Sequence, residues 1–92
     1  MNRMEGKVAV ITGGAGGIGK AVGKLFVDEG ADVLLVDLDE EALKSACNDI
    51  GSNKVSYCLG DVSSSADNQK MINTAEERYG GVDVLVANAG IE

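Results

Sequence analysis

The stretch Val8-Ala9-Val10-Ile11-Thr12-Gly13-Gly14-Ala15-Gly16-Gly17-Ile18-Gly19 joins an apolar strand pattern to the start of a helical one through a glycine-rich turn. A Cβ in such a turn would hold an anion away from the backbone N–H groups, whereas glycine allows both the tight turn and the close approach. The helix that follows aims its unpaired N–H groups and the positive end of its dipole at the same point. The stretch therefore reads as a strand–loop–helix built to hold a phosphate. Because any tight strand-to-helix turn favours glycine, its meaning depends on what lies downstream.

Working outward, periodicity predicts strands over 7–11, 32–36, 55–59 and 82–87, with helical patterns between them. Ile18, Ala21, Val22, Leu25 and Phe26 are spaced to line the inward face of the first helix, and Gly30 is placed to end it. The second helix is expected to be capped by Asp39, with Ala42, Leu43, Ala46 and Ile50 inward. The third runs from Ser63-Ser64-Ser65 through Met71, Ile72, Ala75 and Tyr79 to a stop at Gly80-Gly81. Strands alternating with helices of this length read as an α/β fold with parallel pairs and right-handed crossovers. The expected architecture is a Rossmann-type doubly wound parallel sheet, truncated to about four strands in the order 3-2-1-4, with three helices. Val33–Val36 and Val84–Ala87 are nearly continuous apolar runs, as expected of strands covered on both faces.

The chain has 92 residues, enough for one small domain over 1–92, and 45% of them are hydrophobic. The formal charge is −7, spread over the sequence, and such a surface repels nucleic-acid phosphates and anionic lipid. With no histidine and no Cys-x-x-Cys pair, zinc is disfavoured, and Cys47 and Cys58 read as small core side chains. No stretch approaches the ~20 apolar residues of a membrane span, and the N-terminus has no apolar signal segment. A cytoplasmic protein with neither nucleic-acid nor membrane partners is the expectation.

In a 3-2-1-4 sheet the strand order reverses between the first and fourth strands, and ligands bind at that point, beyond the carboxyl ends of the strands. Asp37 ends the second strand, 18 positions after Gly19, near the spacing at which a carboxylate reaches the adenosine ribose of a dinucleotide. A carboxylate accepts hydrogen bonds only, which suits a 2′-hydroxyl and repels a 2′-phosphate, so NAD is favoured over NADP. Asp61-Val62 follows the third strand; the Asp could accept from an adenine amino group, or it could simply cap a turn. Asn88-Ala89-Gly90 closes the fourth strand, with small residues that would let a cofactor lie against backbone and an Asn able to tie strand ends together; a plain turn is the equal alternative.

Taken in order, Thr12-Gly13-x-x-x-Gly17-Ile18-Gly19, Asp37, Asp61-Val62 and Asn88-Ala89-Gly90 resemble the N-terminal half of the short-chain dehydrogenase/reductase family. The resemblance covers the entire chain. It implies that the loop, Gly13, Gly16, Gly17, Ile18 and Gly19, surrounds a pyrophosphate, that Asp37 binds the adenosine ribose, Asp61 and Val62 the adenine, and Asn88, Ala89 and Gly90 the cofactor path. It also implies NAD(H) as cofactor and an alcohol or carbonyl substrate for the complete enzyme. Ala87 stands where the family often has a second Asn.

The family's Tyr-x-x-x-Lys has no counterpart here: Tyr57 is followed four places on by Asp61, and Tyr79 by Asp83. That pair supplies the proton for hydride transfer, so the chain is expected to bind cofactor without turnover, as a cofactor-binding half whose catalytic half is absent. Its fourth strand would be an uncovered edge, covered in turn by the missing half or by another copy in a homo-oligomer. The alternatives are a truncated nucleotide-binding or interaction module and, much less favoured, an S-adenosylmethionine-dependent methyltransferase, which has a similar loop and acids but binds no pyrophosphate.

Overall fold

A computed structural model describes residues 3–88. The elements alternate as β1 (Val8–Thr12), α1 (Gly17–Asp28), β2 (Asp32–Asp37), α2 (Glu40–Ile50), β3 (Val55–Leu59), α3 (Ser65–Tyr79) and β4 (Val84–Ala87). The strands form one parallel sheet in the order β3-β2-β1-β4, the expected doubly wound arrangement. Strand β1 runs one residue later than the apolar pattern predicts, and β4 begins two residues later, at Val84. Asp83 marks that start: its carboxylate accepts from Val8 N–H at 2.9 Å while its own N–H donates to Val8 O at 2.8 Å, tying the head of β4 to the head of β1.

The two faces of the sheet carry separate cores. On one, Ala9, Ile11, Val33 and Leu35 pack under α1 and α2 with Leu43, Ala46 and Ile50; on the other, Val8, Val10, Leu34, Val36 and Cys58 pack under α3 with Met71 and Ala75. Period-two alternation sends successive side chains of β1 and β2 to opposite cores, so Val8–Ile11 and Val33–Val36 are apolar and buried on both faces. Strand β4 lies at the edge of the sheet with one face uncovered, as expected of the fourth strand, although its apolar run resembles that of β2. Val84 and Val86 are half-buried under the α1 side, but α3 lies over β1 and β2, leaving Leu85 51% exposed and Ala87 exposed as well.

Local chemistry sets the helix ends. Asp39 caps α2, its side chain accepting from Ala42 N–H at 3.2 Å, and Gly51 ends it in the left-handed region. Ser64 caps α3 by accepting from Asp67 N–H at 3.2 Å, and Gly80 ends it at φ 92°. The inward face of α1 is the predicted one only in part: Val22 and Phe26 face the core, Ile18, Ala21 and Leu25 do not. Ile18 and Leu25 are 69% and 57% exposed and Ala21 is exposed too, while Gly19 and Gly23 are buried, with Val22, Phe26 and Val27 packed against the core. Glycine permits that rotation: a Cβ at Gly23 would meet Leu35 Cδ2 at 3.2 Å and Ile50 Cδ1 at 3.4 Å, so the helix approaches the sheet along its glycines.

Candidate functional site

All four strands point the same way, so their carboxyl ends share one edge of the sheet. Register brings Thr12 opposite Val36 on one side and Ala87 on the other, which sets the glycine loop between the ends of β2 and β4. The loop leaves β1 with Gly13 at φ 66°, a conformation costly to a residue with a side chain. Its first turns are anchored by backbone: Gly14 N–H donates to Val36 O at 3.0 Å, and Gly16 N–H to Gly13 O at 3.2 Å.

The loop glycines do different jobs. At Gly14 a Cβ would meet Leu35 Cβ at 2.6 Å, and at Gly19 it would run into Gly13 O and approach Gly14 Cα at 2.9 Å; both let loop, helix and sheet close on one another. A Cβ on Gly17 would meet nothing within 4 Å, and one on Gly16 only Gly13 O at an ordinary 3.5 Å. The protein's own packing therefore does not require glycine at 16 or 17; the exposed space in front of the loop is what a side chain there would fill. Gly16, as N-cap of α1, offers no side-chain cap, and the first turn holds no acidic residue. Those features leave the helix N-terminus suited to an anion.

Asp37 meets this loop from the end of β2. Its Oδ2 accepts from Ala15 N–H at 3.0 Å and its Oδ1 from Leu38 N–H at 2.7 Å. Asn88 meets it from the end of β4, donating its side-chain amide to Gly13 O at 3.3 Å and its backbone N–H to Thr12 Oγ1 at 3.1 Å. The expected tie between strand ends is thus present. Asp61 stands one strand further out, reached through Gly60 N–H, which donates to Asp37 O at 3.0 Å. Its Oδ1 accepts from both Ser63 N–H at 2.9 Å and Ser63 Oγ at 2.6 Å, and these bonds hold its carboxyl below the usual carboxylate range. The turn-capping alternative for Asp61 is realised. Val62 is exposed and its carbonyl accepts from Asn68 Nδ2 at 2.9 Å. Ala89 and Gly90 lie outside the described residues.

Two contributors are missed by sequence reasoning. Thr12 is buried at the end of β1, with its hydroxyl donating to Val86 O at 3.2 Å and accepting from Asn88, so it joins β1 to β4 beneath the loop. A lone Thr closing an otherwise apolar strand is the signal that could have found it. Leu38, immediately beyond Asp37 at the end of β2, is 69% exposed, an apolar side chain in water that only its position, not its type, reveals.

The model for the family described as short chain dehydrogenase matches residues 7–92. The chain belongs to that family. Among its relatives, this chain is 48% identical over 90 residues to short chain aldehyde dehydrogenase 1 of Euphorbia lathyris, covering 97% of this chain and 31% of that protein. It is 43% identical over 91 residues to a mitochondrial borneol dehydrogenase of Lavandula x intermedia, covering 99% of this chain and 34% of the relative. Among solved structures, a short-chain dehydrogenase/reductase, glucose/ribitol dehydrogenase, from Brucella melitensis superposes with a TM-score of 0.91 at 41% identity, over 97% of this chain and 38% of that one. A 3-ketoacyl-(acyl-carrier-protein) reductase from the same organism, solved with NADH, gives 0.83 at 35% identity over 89% of this chain and 33% of its own. The chain spans about a third of the length of the relatives it matches.

Proposed function

We propose that this chain is the NAD(H)-binding portion, over 1–92, of an oxidoreductase that interconverts an alcohol and a carbonyl, and that by itself it binds cofactor without turning substrate over. The observation that carries the reading is the meeting of Asp37 and the glycine loop, joined at 3.0 Å through Ala15 N–H. An acceptor-only carboxylate beside an open helix N-terminus suits a pyrophosphate followed by a ribose with free hydroxyls, and it repels a 2′-phosphate. Gly13, Gly16, Gly17, Ile18 and Gly19 would surround the pyrophosphate; Asp61, through its Oδ2, and Val62 would face adenine; Asn88, Ala89 and Gly90 would line the path toward the nicotinamide. The NADH bound to the Brucella reductase, whose fold this chain shares, is consistent with that assignment.

Bound NAD would supply the hydride acceptor; the chain's own residues bind and orient it. The family's Tyr-x-x-x-Lys, which would supply the proton at the substrate oxygen, does not occur in these 92 residues. The expected setting is cytoplasmic, and among the described residues no helix is long and apolar enough to cross a membrane. Calorimetric titration of the chain with NADH and NADPH tests the reading. Tighter binding of NADH, with no oxidation of it in the presence of carbonyl compounds, is expected; tighter binding of NADPH, or of neither, overturns the cofactor assignment.

A further inference from the structure

Asp37 does two things, one with each oxygen. Oδ1 accepts from the neighbouring Leu38 N–H at 2.7 Å, while Oδ2 reaches across 22 residues to Ala15 N–H at 3.0 Å. Ala15 lies at the middle of the glycine loop, between Gly14, seated on Leu35, and Gly16, the cap of α1. Asn88 holds the first residue of the loop and Asp37 holds its middle.

We propose that Asp37 is a positioning residue for the glycine loop, its carboxylate latching the Ala15 N–H and so holding the loop in a shape suited to an anion. The identity of that anion rests on the nucleotide reading above; the latch rests on the geometry alone. A carboxylate has about four lone pairs, so two backbone donors leave acceptor capacity for ribose hydroxyls, and latch and ribose share one side chain without exchanging. Asparagine cannot do this. It presents one acceptor and one donor, so whichever way the amide turns, one of the two backbone N–H groups faces an NH2. Charge works in the opposite direction, because removing an anion beside a phosphate site strengthens phosphate binding. The two effects differ in sign, which makes the latch separable from simple ribose contact.

The test compares the 92-residue chain with its Asp37→Asn variant by amide hydrogen exchange without ligand, and by titration with ADP and with 2′,3′-dideoxyadenosine 5′-diphosphate, which has no ribose hydroxyls. In the wild type, Ala15 N–H is expected to exchange at least about tenfold more slowly than in an unstructured peptide, and the variant to lose about tenfold of that protection. Val10 and Leu34 N–H, at the centre of the sheet, are expected to keep theirs. Affinity for the dideoxy nucleotide is expected to fall about three- to tenfold in the variant. An unprotected Ala15 in the wild type, unchanged exchange in the variant or uniform acceleration across the sheet would each overturn the latch, and dideoxy binding that is equal or tighter at high ionic strength, where the charge effect is screened, would do so as well. If the wild type binds neither nucleotide, the nucleotide reading fails and Ala15 exchange decides the latch by itself.

Discussion

At the residue scale, Gly17 and Gly19 look alike in the sequence and differ in the structure. A Cβ on Gly19 would collide with Gly13 O, so Gly19→Ala must push the loop from the helix; a loss of about 1–3 kcal/mol is expected, read from urea unfolding. Gly17 faces open space at the start of α1, where alanine fits the helix and removes backbone freedom. Gly17→Ala is therefore expected to leave stability unchanged or raise it by up to about 1 kcal/mol, while weakening NADH binding at least severalfold. Equal affinity in that variant would mean that no anion approaches the backbone there. The glycine spacing was legible because strand-loop-helix turns and phosphates both demand it. Which glycine serves packing and which serves approach was not, because that depends on where Leu35 and the Gly13 carbonyl come to rest.

At the scale of single elements, caps were legible and faces less so. Asp39 and the Ser63–Ser65 segment announce helix starts because their side chains compete for the first N–H groups, and the structure uses Asp39 and Ser64 in that way. Ser64→Ala is expected to cost about 1 kcal/mol, measurable as a lowered unfolding midpoint. The face of α1 was partly misread because hydrophobicity ranks Ile18 and Leu25 above glycine, whereas close approach to the sheet selects the residues with least bulk, Gly19 and Gly23. In α3, Tyr79 shares a hydrogen bond with Ser56 Oγ and reaches Val33 O at 3.4 Å, and burial is the main cause that raises its pKa. A raised folded pKa means that the stabilisation is complete below the unfolded tyrosine value of about 10 and is lost as pH climbs through the folded one. Tyr57, whose hydroxyl bonds to Glu40, shifts in the same direction. Urea midpoints are thus expected to hold from pH 8 to 9 and to fall as pH rises above about 10, and Tyr79→Phe to flatten that fall. An unchanged slope in the variant would mean that Tyr79 ionises as freely folded as unfolded.

For the whole molecule, the order β3-β2-β1-β4 was legible because the strand and helix periods alternate cleanly and parallel crossovers take one hand. What the pattern could not show is how far each helix reaches. Two apolar runs that read alike, Val33–Val36 and Val84–Ala87, end in different places: the first is buried on both faces, the second only half-covered, because α3 lies over β1 and β2. Leu85 on that open face of β4, the strand at the edge of the sheet among the described residues, is the expected driver of self-association in the isolated chain. Leu85→Glu separates the two roles that an apolar strand residue can have. If the face is open in solution, the substitution changes unfolding free energy by less than about 0.5 kcal/mol and keeps the chain monomeric to higher concentration in sedimentation. A loss of 2 kcal/mol or more, of the size expected for a buried leucine, would instead mean that something covers β4. Leu34→Ala, in a strand covered on both faces, calibrates the comparison, with an expected cost of about 2–5 kcal/mol. In a chain extended to the length of the relatives, the Leu85→Glu cost is expected to rise toward that of Leu34→Ala, because the added layer would bury the charge on the same face that the isolated chain leaves to water.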